Sequence, residues 1–119
     1  NPWDREVSSY LFWLGTKGIP NISFEEYLFD DNLHKPMTFY DFFDLSTENL
    51  DIIIRFENLQ KDLTNLIDRL KFKYPEVKEI PHLNKTNRVK DYRIYYSQEM
   101  ADIVAKRCKQ DIEYFGYDF

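Results

Sequence analysis

Asp51-Ile52-Ile53-Ile54-Arg55-Phe56 is the stretch on which the fold class turns. Three consecutive isoleucines without polar alternation predict a strand covered on both faces, as in a parallel sheet. The stretch runs into Leu59, Leu63, Leu66, Ile67 and Leu70, spaced to form one apolar stripe of a helix with Lys and Asp side chains opposite. A strand leading directly into a helix is half of a βαβ unit. A lone parallel strand leaves its own N–H and C=O groups unpaired at both edges, so the pattern also implies partner strands beyond this segment. The expectation is an α/β fold, mostly helical in this chain, with one core parallel strand. Arg55-Phe56-Glu57-Asn58-Leu59 would lie at the carboxyl end of that strand, where α/β sheets hold ligands. Glu57 and Asn58 are equally residues that cap a following helix, and capping is the simpler reading.

Working toward the N-terminus, Val7, Tyr10, Leu11 and Leu14 follow the helical i, i+3, i+4, i+7 rule. Pro2 suits the start of that helix, Gly15 and Gly18 suit its exit, and Pro20 breaks the pattern. Ser23 and Glu26 have the spacing of a capping box, which predicts a second helix through Phe24, Tyr27 and Leu28 to about Asp31. Residues 32–49 are irregular and aromatic, a long loop with one short helix. Toward the C-terminus, Tyr74 to Arg93 reads as a loop with Pro75 and Pro81. Ser97 then stands as the N-cap of a last helix, with Met100, Ile103, Val104, Cys108, Ile112 and Phe115 as its buried stripe and Gly116 as its C-cap.

A chain of 119 residues makes one small domain with a modest core. Aromatic residues reach 18%, with nine Tyr and ten Phe, so large rings must be buried, stacked on a ligand, or covered by a partner, a second copy of the chain included. The formal net charge of −5 argues against a general nucleic-acid binder, which needs a basic face. The single cysteine, Cys108, excludes an intrachain disulfide and sits on the apolar side of the last helix, as a small buried hydrophobe rather than a reactive thiol. No zinc spacing occurs, His34 and His82 are far apart, and no metal is expected. No apolar run approaches membrane-spanning length, so no membrane contact is expected within the segment. The opening Asn1-Pro2-Trp3-Asp4-Arg5 has no leader character and reads as mid-protein, so 1–119 is expected to be a single partial domain.

Two stretches carry the residue types of an anion site. The opening, Asn1 to Tyr10, places Arg5 and Ser8 in the early turns of a helix, where the dipole favours anions and a guanidinium offers a fork matched to phosphate. The same residues on any surface helix would simply be solvated. Asn84-Lys85-Thr86-Asn87-Arg88-Val89-Lys90 is the second. With Asp91 and Arg93 included it carries a local net charge of +3 inside an acidic chain. Lys85, Thr86 and Arg88 can donate to a phosphate from such a loop, and a solvated surface loop would look no different.

Taken together and in order, these features resemble one family, the membrane-associated (Golgi-type) carbohydrate sulfotransferases that use 3′-phosphoadenosine-5′-phosphosulfate (PAPS). Their 3′-phosphate motif has the form Arg-Asn-Pro-x-x-Arg-x-x-Ser-x-Tyr, and Asn1, Pro2, Arg5, Ser8 and Tyr10 match it at the right spacing. The leading Arg of the motif would precede Asn1. Ser23-Phe24-Glu25-Glu26-Tyr27, the His34 and Pro36 pair, Ile54-Arg55-Phe56-Glu57-Asn58-Leu59, Pro81-His82-Leu83-Asn84-Lys85-Thr86, Tyr95-Tyr96 and Asp111-Ile112-Glu113-Tyr114-Phe115-Gly116-Tyr117 are similar to segments that follow it. The resemblance implies a P-loop-like α/β domain of which this chain is the C-terminal part, with the phosphosulfate loop and catalytic base on the N-terminal side. No catalytic residue is assignable in this chain. It implies that Ser8 holds the 3′-phosphate, that Arg5 either joins it or orders the helix, and that Lys85, Thr86 and Arg88 close over the nucleotide. The acceptor would be a carbohydrate hydroxyl. Lumenal Golgi placement is implied for an animal protein and a cytoplasmic one for a microbial or viral relative.

Three other readings compete: a catalytically incomplete remnant, a helical interaction module with no nucleotide site and an exposed aromatic surface, and a kinase-like phosphotransferase that would prefer ATP.

Overall fold

The computed structural model describes residues 1–16, 21–32, 38–42, 50–71, 80–81 and 88–119. The chain divides into two compact units, Asn1–Ser46 with Thr86–Phe119, and Thr47–Lys85.

The first unit is built on helix α1, Pro2–Thr16. Its N-terminus is capped from Asn1, whose Oδ1 accepts the backbone N–H groups of Trp3 at 3.1 Å and Asp4 at 3.3 Å. Helix α2, Phe24–Phe29, starts with the expected capping box: the Glu26 N–H donates to Ser23 Oγ at 3.1 Å and the Ser23 N–H donates to Glu26 Oε2 at 2.7 Å. The short helix α3, Phe39–Phe42, falls within the aromatic stretch expected to hold one.

Trp3 and Val7 of α1 form a core with Phe24, Tyr27 and Leu28 of α2 and with Met100, Ala101, Val104 and Cys108 from the C-terminal part of the chain. Burial of each large apolar side chain is worth about 1.5–3 kcal/mol. Polar tips of the aromatic residues fix the helices against one another. Trp3 Nε1 donates to the Ala101 carbonyl at 3.0 Å, Tyr96 Oη to the Trp3 carbonyl at 2.9 Å, and Tyr10 Oη to the Ile22 carbonyl at 2.8 Å. The aromatic surplus is thus largely packing: Phe24 meets Tyr10, Tyr27, Tyr95 and Tyr96 with ring centroids 5.1–6.3 Å apart.

Ser97 is the N-cap of the C-terminal helical stretch, as its position predicts, and accepts the Met100 N–H. The single helix expected from there to Phe115 is in fact two, α5 at Gln98–Arg107 and α6 at Lys109–Phe115. The break is slight. The Cys108 N–H still reaches the Val104 carbonyl and the Ile112 N–H still reaches the Cys108 carbonyl, both at 2.9 Å. Gly116 ends α6 at φ +65°, a left-handed conformation that costs an L side chain but not glycine.

The second unit overturns the expected fold class. Residues 50–55 form no ladder, and no strand occurs among the described residues. Arg55 is extended, but its N–H donates to Asp62 Oδ2 at 3.1 Å rather than to a neighbouring strand. Ile52, Ile53 and Ile54 are 37%, 41% and 37% exposed rather than covered on both faces. A parallel strand exists only through the neighbour that takes its backbone groups, and no described residue supplies one. The described architecture is helical, not α/β. A 3-10 turn at Phe56–Asn58 leads into α4, Leu59–Leu70. Asn58 occupies the N-cap position of α4 as expected, yet its side chain makes no capping bond. The stripe has the predicted phase, with Leu59, Leu63, Leu66 and Ile67 half-buried, but Leu70 is exposed and α4 contains no fully buried residue.

Candidate anion site

Helix α1 sorts its polar residues onto different sides. Arg5 turns toward the body of the unit. Its Nη2 donates to Cys108 Sγ at 3.5 Å, its Nη1 lies 3.8 Å from Asp111 Oδ2, and its Nε lies 3.7 Å from Glu6 Oε1. Glu6 and Asp111 are both buried. Asp111 also accepts the backbone N–H of Phe39 at 2.8 Å and that of Tyr40 at 3.4 Å, so one carboxylate from α6 anchors the start of α3 and faces Arg5. Of the two roles open to Arg5, this geometry is that of a residue ordering the helix within the unit. Burial pushes the Cys108 thiol up to about 11, with the Arg5 charge pulling the other way and Glu6 and Asp111 adding to the rise. A thiol in that state is neutral at ordinary pH and is a packing group rather than a nucleophile.

Ser8 is exposed. One helical turn before it on the same face stands Asp4, whose Oδ1 is 2.7 Å from Nη1 of Arg88. The pair is partly shielded, with side-chain exposures of 20% for Arg88 and 28% for Asp4. The structure therefore brings Arg88, 80 positions away in sequence, to the face of α1 that carries Ser8. Lys85 and Thr86 lie outside the described residues, as do His34, Pro36 and His82.

A hydroxyl and a guanidinium are both donor types that a phosphate group takes, the hydroxyl as a neutral donor and the guanidinium as a charged fork, and here the exposed Ser8 shares a helix face with the Asp4 that pairs with Arg88. Arg5 contacts Asp111 and Cys108 while its side chain stays 40% exposed. Two residues of this surroundings escaped the sequence reading. Asp4 was legible only as an acidic residue in a first turn, with nothing to pair it with Arg88. Asp111 had a clearer signal, since it stands at i+3 from Cys108 on the apolar stripe, where a carboxylate must find partners.

No group of three or more His, Cys, Asp or Glu side chains among the described residues is placed to hold a metal ion. No described helix is long and apolar enough to cross a membrane. No protein-family model, curated protein or solved structure matches the chain.

Proposed function

We propose that this chain supplies the 3′-phosphate-binding side of a PAPS-dependent carbohydrate sulfotransferase. The observation that supports it is the placement of Arg88 beside the exposed Ser8 face of α1 through its 2.7 Å pairing with Asp4, two residues that the family resemblance assigns to one nucleotide. In the reaction a sugar hydroxyl oxygen attacks sulfur in line, the bond from sulfur to the 5′-phosphate oxygen breaks, and 3′-phosphoadenosine-5′-phosphate leaves. The hydroxyl proton passes to a base that this chain's described residues do not identify. Charge grows on the leaving phosphate and the sulfuryl oxygens, so positioning and fixed positive donors carry most of the rate effect. Ser8 and Arg88 would hold the nucleotide at its 3′ end, remote from the reacting sulfur, and so contribute binding and orientation.

Calorimetric titration with 3′-phosphoadenosine-5′-phosphate, with ATP as control, tests this directly. Selective binding that weakens in Ser8→Ala is expected. Equal affinity for ATP would favour the kinase-like reading, and no binding by a folded sample would remove the nucleotide site altogether.

A second reading, a helical interaction module or catalytically incomplete remnant, is favoured by one observation. Ile52, Ile53, Ile54 and Phe56 are exposed, and Phe56 is the most open of them at 71%. That reading predicts no nucleotide binding and no effect of Ser8→Ala on any ligand.

A further inference from the structure

An acidic side chain is an unexpected neighbour for an anion site, since Asp4 cancels part of the charge that Arg88 would bring. We propose that Asp4 is a positioning residue: it holds one edge of the Arg88 guanidinium so that the remaining donors face a phosphate seated at Ser8. The inference rests on the nucleotide reading above and goes beyond it by assigning the selectivity for a 3′-phosphorylated ligand to the Asp4–Arg88 pair. Three observations carry it. The contact is close, 2.7 Å between Asp4 Oδ1 and Arg88 Nη1. Asp4 is itself held, because its backbone N–H is fixed on Asn1 Oδ1 at 3.3 Å at the capped start of α1. Asp4 and Ser8 are one turn apart on a continuous helix, so the residue that pairs with Arg88 shares the α1 face that carries Ser8. An arginine has five N–H donors in a rigid plane, and one carboxylate engages only part of them. Fixing the plane before the ligand arrives lowers the ordering cost of binding.

The two physical roles of Asp4 predict opposite signs. If its charge merely opposes the phosphate, removing the charge strengthens binding. If it aims Arg88, removing it weakens binding and does so only for the ligand that has a 3′-phosphate. The experiment is calorimetric titration of the full chain and of Asp4→Asn, Asp4→Glu and Arg88→Lys with 3′-phosphoadenosine-5′-phosphate and with adenosine 5′-monophosphate, each variant first checked for helix content and thermal midpoint. Asp4→Asn is expected to lose about tenfold in affinity for the 3′-phosphorylated nucleotide while its affinity for the monophosphate stays level. Asp4→Glu is expected to recover most of the loss. Arg88→Lys, which keeps the charge and removes the fork, is expected to lose the same selectivity and carries the test if Asp4→Asn does not fold. Unchanged or tighter binding in Asp4→Asn, or an equal loss for both nucleotides, overturns the positioning role and leaves the site reading standing. A parent chain that does not distinguish the two nucleotides overturns both.

Discussion

Cys108 has no exposed surface, and its thiol is held neutral well above the ordinary range. A folded-state pKa of about 11 against an ordinary value of 9.0 means that the native state keeps its proton after the unfolded chain has lost it. The stabilisation is complete below pH 9 and disappears as pH rises through 11. Tyr27 and Tyr96 are shifted in the same direction, chiefly by burial and then by the Glu6 charge, and add to alkaline sensitivity at still higher pH. Urea unfolding at pH 8 and pH 10 should therefore show the parent losing about 1 kcal/mol more between the two than Cys108→Ala does. An equal pH slope in the variant would count against a neutral buried thiol. Asp111 is the other residue whose environment exceeds what its neighbours in sequence suggest. Asp111→Ala would leave the Phe39 and Tyr40 N–H groups without their acceptor and remove one of the two carboxylates, Asp111 and Glu6, that face Arg5. A loss of about 2–4 kcal/mol is expected in urea unfolding, and a loss under 1 kcal/mol would show that the cluster relaxes around the gap.

At the scale of the elements, the ends of helices were the most legible features. Ser23, Ser97 and Gly116 each cap where spacing places them, because a cap is a local bond between a side chain and backbone a few residues away. Ser23→Ala should destabilise by about 1 kcal/mol and Gly116→Ala by about 1–2 kcal/mol in chemical denaturation, the latter through the left-handed φ alone, since nothing lies within 4 Å of an added Cβ. Bonds from the Ser23 backbone and hydroxyl hold the Glu26 carboxyl below its ordinary value. Its support of the capping box is present above that ordinary value and is lost as pH falls through the depressed one. Asn58 shows the limit of such reasoning, for it reaches the N-cap position of α4 with its side chain unengaged there. The isoleucine run shows it more sharply. Residue type favours a strand, but a strand is a relation between two segments, and among the described residues Asp62 takes the Arg55 N–H instead.

At the scale of the whole molecule, the fully buried side chains among the described residues belong to one unit. The core joins α1, α2 and α5, whereas α4 has no fully buried residue. Hydrogen exchange should accordingly be faster for amides of Leu59–Leu70 than for those of Gln98–Arg107, and equal protection would contradict the difference in packing. The last residue reinforces the first unit: the Phe119 ring packs against Trp3, Tyr92 and Tyr96 at centroid separations of 5.5, 6.0 and 5.4 Å, while Asn1 Nδ2 donates to the Asp118 carbonyl at 3.2 Å. What the sequence determined alone depends on a few neighbouring residues: the existence and phase of α1, α2 and α4, the caps at Ser23, Ser97 and Gly116, the buried side of Cys108, and Ser8 on an early turn of α1. Its apolar periods and cap spacings are local, so no partner was needed to read them. Tertiary structure decided what depends on distant pairs: the absence of a ladder around Ile52–Ile54, the inward turn of Arg5 to Asp111, and the meeting of Arg88 with Asp4. Those outcomes rest on which hydrogen-bonding and charged groups come within a few ångströms when the chain packs, and separation along the chain carries no record of that.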